Sequence, residues 1–113
     1  MHSIFYHATP FRNLYSISHN GIKPSDDGTV KLCRTVEDAV CFGVDKGLVD
    51  DGEYFIILSV LVDTDEVKQY QEHSLLSVIP LNCFKYKGAI PSSRIALDYP
   101  DIQVFTYRAN QDY

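Results

Sequence analysis

The chain has no tryptophan and few cysteines, and the cysteines follow no recognisable ligand spacing. Cys33, Cys41 and Cys83 are the only three, and no two of them form a CxxC pair. An odd set without metal-ligand spacing predicts neither a disulfide framework nor a zinc site. We therefore expect reduced thiols that lie in the core or on strands, and no bound metal.

Long apolar runs are also missing. No stretch approaches the roughly 20 apolar residues that a transmembrane helix needs. The opening residues "MHSIFYH" lack the basic segment followed by a long apolar segment that is typical of a signal peptide. These features predict a cytoplasmic protein that does not contact membranes.

Basic residues are in the minority, with ten Lys and Arg against fifteen Asp and Glu, a net charge of −5 and a pI near 5.1. Binding of long nucleic acids depends on phosphate neutralisation by a basic surface, so nucleic acid is an unlikely partner. Apolar residues make up 45% of the 113 residues. That content and that length predict one folded domain covering residues 1–113.

Glycine-rich phosphate loops are absent as well, since the chain contains neither GxGxxG nor GxxxxGK[ST]. The predicted strands and helices do not keep alternating, which argues against a doubly wound nucleotide-binding fold. Enzymes that use a phosphate-binding loop are therefore excluded.

The first half of the chain predicts two strands and two helices. "SIFYHA" is rich in aromatic and β-branched residues and predicts a strand. Thr9 followed by Pro10 predicts the start of a helix that ends near Asn20, where Gly21 would take a left-handed conformation. "TVKLC" predicts a second strand. Thr35 then caps a second helix, and its apolar residues share one side at helical spacing: Val36, Ala39, Val40, Val44 and Leu48.

The second half of the chain predicts mainly strands. "EYFIILSVLVD" is the most apolar stretch and predicts a central strand. Residues 64–73 predict a helical turn or a loop, and residues 77–81 and 83–90 predict shorter strands. Residues 95–107 predict two strands joined by a turn at residues 98–100. The fold class is therefore α+β.

Two blocks of sequence resemble the ADP-ribosyltransferase-like fold, the NAD-binding module shared by protein, DNA and rifamycin ADP-ribosyltransferases and by RNA 2′-phosphotransferases. "YHATPFRNLYSISHNGIKP" is similar to the His-x-Thr strand and following helix of that family, and "TVKLCRTVEDAVCFG" to its second strand and helix. With the later strands, the resemblance covers roughly residues 4–97. It implies split mixed or antiparallel β-sheets, two N-terminal helices and NAD as substrate.

The resemblance also implies roles for residues at the start of the chain. His7 corresponds to the histidine that hydrogen-bonds a ribose hydroxyl, which suits a neutral imidazole because it both donates and accepts. Ala8 would offer its main-chain groups to the nicotinamide amide. Thr9 would be the helix cap and a pocket hydroxyl, and Gly21 belongs to the Gly-Ile loop that completes the cofactor-binding set.

The two remaining family positions depart from the pattern. Lys31 occupies the place of the residue that stacks on nicotinamide, and its ammonium would instead meet phosphate, with Arg12 and Arg34 as alternative phosphate partners. No carboxylate lies between Asn82 and Lys85, where the family commonly has a glutamate. Cys83 is the nearest candidate nucleophile in that window.

These features leave three functions open. The first is an NAD-dependent transferase that releases nicotinamide and transfers ADP-ribose to an acceptor. The second is an inactive domain of the same fold that binds or inhibits a protein partner, favoured by the missing glutamate. The third is a phosphoesterase with two His-x-Ser/Thr motifs, although "HAT" is the only strong copy.

Overall fold

The structure is a computed structural model that describes residues 2–46, 53–74, 79–98 and 101–106. Its strands are β1 (His2–Pro10), β2 (Thr29–Cys33), β3 (Tyr54–Asp63), β4 (Val67–Glu72), β5 (Leu81–Lys87) and β6 (Gln103–Thr106). The α-helices in these ranges are α1 (Leu14–Asn20) and α2 (Val36–Asp45). Short 3-10 helices span Phe11–Asn13, Thr64–Glu66 and Ser92–Arg94. None of the helices in these ranges is long and apolar enough to cross a membrane.

The six strands form one antiparallel sheet in the order β4-β5-β2-β1-β3-β6. The α+β class with two early helices is confirmed. The expectation of split sheets is wrong, because the described strands form one sheet in which all pairs are antiparallel. Strand pairing at the centre of this sheet is unequal. All nine residues of β1 pair with β3, whereas β1 and β2 share only the pair Tyr6 and Cys33.

Apolar side chains cover both faces of the sheet. Alternate residues of a strand point to opposite faces, so Ile56, Leu58, Val60 and Val62 of β3 pack on the side of α1. Phe55 and Ile57 pack on the other side, against Ala39 of α2. Burial on both faces explains why β3 is a continuous apolar run instead of an alternating one. The apolar side of α2 is confirmed within the described residues, and Leu48 lies outside them.

The first helix begins later than the sequence predicts. Thr9 and Pro10 still belong to β1, because Pro10 pairs with Phe55 of β3. Thr9 therefore does not cap a helix; its hydroxyl instead accepts a hydrogen bond from the Asn13 side chain (3.2 Å). The cap predicted for α2 is confirmed, since the Thr35 hydroxyl accepts from the main-chain N–H of Asp38 (3.1 Å).

Gly21 ends α1 with a positive φ, as predicted, but with an extended ψ: its φ is 75° and its ψ is −171°. This region of backbone conformation is essentially restricted to glycine. A Cβ at this position would overlap the carbonyl oxygen of Ile90. That carbonyl accepts from the N–H of Ile22 (2.8 Å), so Gly21 lets the loop after α1 pair with the segment after β5.

Two stretches of the second half differ from the sequence prediction. The predicted helical turn is present as the short 3-10 helix at Thr64–Glu66, but Val67–Glu72 forms the strand β4, where the sequence predicts no strand. Between residues 95 and 106, β6 is the only strand among the described residues, while Ile95 makes a single bridge to Val60. Residues 77–78 of one predicted strand and residues 99–100 of the predicted turn lie outside the described residues.

Candidate functional site

His7 lies where the two halves of the sheet separate. Immediately before it, Tyr6 forms the one register pair between β1 and β2. Beyond this pair the strands no longer share a ladder, and the imidazole spans the gap: Nδ1 of His7 lies 2.9 Å from the carbonyl oxygen of Lys31. Main-chain groups of β1 that point away from β3 therefore have no register partner on β2 beyond Tyr6.

The bond to Lys31 fixes the tautomer of His7. A carbonyl oxygen only accepts, so Nδ1 carries the proton and donates it. Burial lowers the pKa of His7 below its ordinary value, and the bond to Lys31 offsets this only in part. The ring is therefore neutral near pH 7, and Nε2 is a lone-pair acceptor without a protein partner in the described part of the chain.

Two cavities meet at His7. The first, of about 250 Å³, lies on the side of α1 and is lined by His7, Thr9, Asn13, Ser16, Ile17, Gly21, Ile22 and Lys23. The second, of about 300 Å³, lies at the gap between β1 and β2 and is lined by His7, Ala8, Ser25, Lys31, Phe42, Lys46 and Glu72. We call the first the helix cavity and the second the strand-gap cavity. His7 is the one histidine among the described residues that lines either of them.

The structure brings five of the predicted site residues together around these cavities. His7, Thr9 and Gly21 line the helix cavity. His7, Ala8 and Lys31 line the strand-gap cavity. Residues from both blocks of sequence that resemble the family therefore line the two cavities that share His7.

The other three predicted residues lie elsewhere. Arg12 is exposed and forms an ion pair with Glu53 (3.1 Å). Arg34 donates to the carbonyl oxygen of Ile4 (2.9 Å), and its guanidinium lies 4.6 Å from the centre of the Phe5 ring. Neither arginine lines a cavity at His7.

Cys83 is completely buried, and its Sγ lies 3.9 Å from that of Cys33. The contact with Cys83, together with burial, raises the pKa of Cys33. A buried thiol whose nearest partner is another thiol is not placed to attack a substrate, because the reactive form is an accessible thiolate.

Lys31 has a carboxylate partner. Its Nζ donates to Asp27 (2.7 Å) and to the Thr29 hydroxyl (2.5 Å). The hydrogen bond from Lys31 is the main reason that the pKa of Asp27 is lowered, with further hydrogen bonds from Thr29. The Lys31 side chain is only 19% exposed, and its ammonium is held by Asp27 and Thr29.

Sequence reasoning missed the carboxylate of the strand-gap cavity. Glu72 ends β4 and forms an ion pair with Lys46 at the end of α2 (3.1 Å). Both residues, with Phe42, line the same cavity as His7. β4 was predicted as a turn or loop, so its residues had no predicted neighbours. The alternation in "VKQYQE", with Lys68, Tyr70 and Glu72 on one face, is the pattern that could have revealed it.

The described residues contain no group of three or more His, Cys, Asp or Glu side chains placed to hold a metal ion. The fold and site define the class of this protein as an α+β domain with one antiparallel sheet and a histidine-lined gap at its centre. Neither protein-family models nor curated protein sequences give a match to the chain.

Proposed function

We propose that the strand-gap cavity binds an NAD-like dinucleotide and that the chain is an ADP-ribosyltransferase-like protein. The observation that carries this proposal is the hydrogen bond from His7 Nδ1–H to the Lys31 carbonyl, at the point where β1 and β2 separate. It supports the role because it holds a neutral imidazole in one tautomer and leaves Nε2 for a ligand.

In this proposal the groups on β1 orient the nicotinamide riboside. Nε2 of His7 accepts a hydrogen bond from a ribose hydroxyl. The main-chain N–H and C=O of Ala8 pair with the amide of nicotinamide, a role that tolerates the small buried side chain at this position. Fixed partners of this kind favour a reactive geometry because they remove rotational freedom from the bound ligand.

We assign to the Glu72 carboxylate the role of stabilising the positive charge of the transition state. The bond between ribose C1′ and the nicotinamide nitrogen breaks, nicotinamide leaves with the bonding electron pair, and positive charge develops on the ribose. A carboxylate beside that charge lowers the barrier. An acceptor nucleophile then bonds to C1′ and loses its proton. Glu72 lines the cavity with His7, whereas the window from Asn82 to Lys85 contains no carboxylate.

The test is incubation with NAD and measurement of nicotinamide release and of ADP-ribose transfer to proteins of a lysate. We expect His7→Ala to lose NAD binding and activity. Glu72→Gln should still bind ADP-ribose but turn over NAD on the order of 100-fold more slowly, as expected for a lost electrostatic contact in the transition state.

The matched control is His19→Ala, since His19 is exposed on α1 and its Nδ1 hydrogen-bonds the Tyr15 carbonyl (2.9 Å) and the Ser18 hydroxyl (3.0 Å) of the same helix. It should retain binding and activity. An unmodified protein that neither turns over NAD nor gains thermal stability with ADP-ribose would overturn the proposal.

An inactive binding domain is the second candidate. The ion pair between Glu72 and Lys46 favours it, because Lys46 already neutralises the only carboxylate that lines the strand-gap cavity among the described residues. The same experiment separates the two functions: ADP-ribose binding that depends on His7, without release of nicotinamide, supports the inactive domain.

A further inference from the structure

Three lysines lie side by side across one half of the sheet. Lys31 of β2 pairs with Lys85 of β5, and Lys85 pairs with Lys68 of β4. Directly paired residues of antiparallel strands project to the same face. Because neighbouring strands are about 4.8 Å apart, the three lysines lie within a span of about 10 Å. We call Lys31, Lys85 and Lys68 the lysine row.

Sheet architecture alone does not account for the lysine row. Like charges directly opposite each other on neighbouring strands are unfavourable. A lysine on an edge strand protects that edge against pairing with another chain, which would explain Lys68 on β4. It does not explain Lys85 and Lys31, because β5 and β2 are interior strands.

Most of the positive charge of the row is uncompensated. Asp27 pairs with Lys31. The Nζ of Lys85 lies 4.7 Å from the centre of the Tyr70 ring, which holds the ammonium in place without neutralising it. Within the described ranges, no carboxylate forms an ion pair with Lys85 or Lys68. The ammonium groups of Lys85 and Lys68 therefore have no ion-pair partner in the part of the chain that the structure describes.

A cavity of about 420 Å³ opens on this surface. Lys68, Lys85 and Lys87 contribute the cations of its wall, and Asp27, Asp65 and Glu66 contribute carboxylates. Two of these carboxylates are already engaged, Asp27 by Lys31 and Glu66 by Arg94 (2.9 Å). The space is therefore suited to a small anion with more than one negative charge.

We propose that the lysine row binds adjacent phosphate groups of a small phosphorylated ligand. Lysine ammonium groups are point charges that suit phosphate oxygens. Lys31 links this surface to the candidate site, because its carbonyl holds His7 while its side chain begins the row. The inference rests on the proposed function in one respect: it assigns the phosphates to the ligand whose other end lies at His7.

The first test measures binding of tripolyphosphate and of ADP-ribose by calorimetry at low ionic strength. We expect Lys85→Gln and Lys68→Gln each to weaken binding of both by about fivefold, since each removes a charge-assisted contact. Arg12→Gln is the matched control: it removes the same charge from an exposed position outside the row and should leave both affinities unchanged.

The second test is a gain of binding, which a misfolded variant would not show. Asp27→Asn removes the counter-charge of Lys31, and its side-chain oxygen can still accept from the N–H of Thr29. We expect tripolyphosphate to bind severalfold more tightly to this variant. Unchanged tripolyphosphate binding in Lys85→Gln and Lys68→Gln, or weaker binding in Asp27→Asn, would overturn the lysine row as a phosphate site.

His7→Ala distinguishes this inference from the proposed function. It should lose ADP-ribose binding and keep tripolyphosphate binding. If the lysine variants weaken tripolyphosphate binding but ADP-ribose does not bind at all, the phosphate site stands and the dinucleotide proposal fails. If ADP-ribose binds through His7 and the lysine variants have no effect on either ligand, the phosphate site fails and the dinucleotide proposal stands.

Discussion

At the scale of single residues, the charge state of His7 decides what the site can bind. Protonation of Nε2 would convert the acceptor that we assign to a ribose hydroxyl into a donor. Burial opposes this protonation by lowering the pKa of the ring. The half-buried position of His7 between two cavities therefore keeps the imidazole neutral without any acidic or basic neighbour being needed.

The same burial predicts a pH dependence of stability. The unfolded chain binds a proton at His7 near the ordinary pKa of 6.5, whereas the folded chain binds it only at lower pH. Below pH 6.5 the unfolded state thus holds more protons, and the free energy of unfolding falls as the pH decreases toward the lowered pKa. The contribution of the neutral, buried His7 ring to the free energy of unfolding is fully present above about pH 7.5.

Urea denaturation between about pH 7.5 and about pH 5.5 would measure this effect. We expect His7→Gln, whose amide can still donate to the Lys31 carbonyl, to lose stability less steeply than the unmodified protein over this range. The control, His19→Gln, should follow the unmodified protein. Parallel curves for the unmodified protein and His7→Gln would contradict the prediction.

At the scale of elements, the loop after α1 depends on the absence of a side chain at Gly21. Both Gly21 and Gly28 have a positive φ, 75° and 81° respectively. A Cβ at Gly28 would have no heavy atom within 4 Å, whereas a Cβ at Gly21 would overlap the Ile90 carbonyl. Both positions therefore share a positive φ, and Gly21 adds an extended ψ and the overlap with Ile90.

We expect Gly28→Ala to lower the free energy of unfolding by about 1 kcal/mol, the usual penalty for a positive φ in a residue with a Cβ. Gly21→Ala should lower it by at least about 2 kcal/mol more, because the loop must move away from Ile90. Chemical denaturation of both variants measures the difference. Equal losses would show that the contact with Ile90 does not constrain the loop.

At the scale of the whole molecule, the two halves of the sheet are held together mainly by packing. β1 and β2 share one register pair, while the apolar cores on both faces contain residues from both halves. Cys33 and Cys83 of one half pack with Ala8 and Phe55 of the other. Burial of this shared core, more than strand pairing, joins the halves into one sheet.

Thiol labelling tests whether the halves separate without complete unfolding. Cys33 and Cys83 are 3% and 0% exposed, whereas Cys41 is half-buried on α2. In the native protein we expect only Cys41 to react, and slowly at neutral pH because burial raises its pKa. Cys33 and Cys83 should react at the rate of global unfolding in increasing denaturant. Fast reaction of all three thiols without denaturant would contradict a shared core.

The sequence by itself determined those elements of the fold, and those positions of site residues, that depend on neighbouring residues in the chain. Thr35 caps α2 because its hydroxyl reaches an N–H three residues away, and β1, β2 and β3 follow from β-branched and aromatic residues at consecutive positions. The same local patterns placed His7 and Ala8 on one strand and Gly21 at the end of the first helix, whereas Thr9, predicted as a helix cap, belongs to β1.

Only the tertiary structure decided those elements and site residues that depend on partners far away in the chain. β4 has few apolar residues and forms because its main chain pairs with β5 at the edge of the sheet. That pairing places Glu72 in the lining of the cavity that His7 also lines, and Lys68 beside Lys85. The tertiary structure also buries Cys83, pairs Arg12 with Glu53 and directs Arg34 to the carbonyl of Ile4. Register and strand order arise from contacts between residues far apart in the chain, which local sequence patterns do not encode.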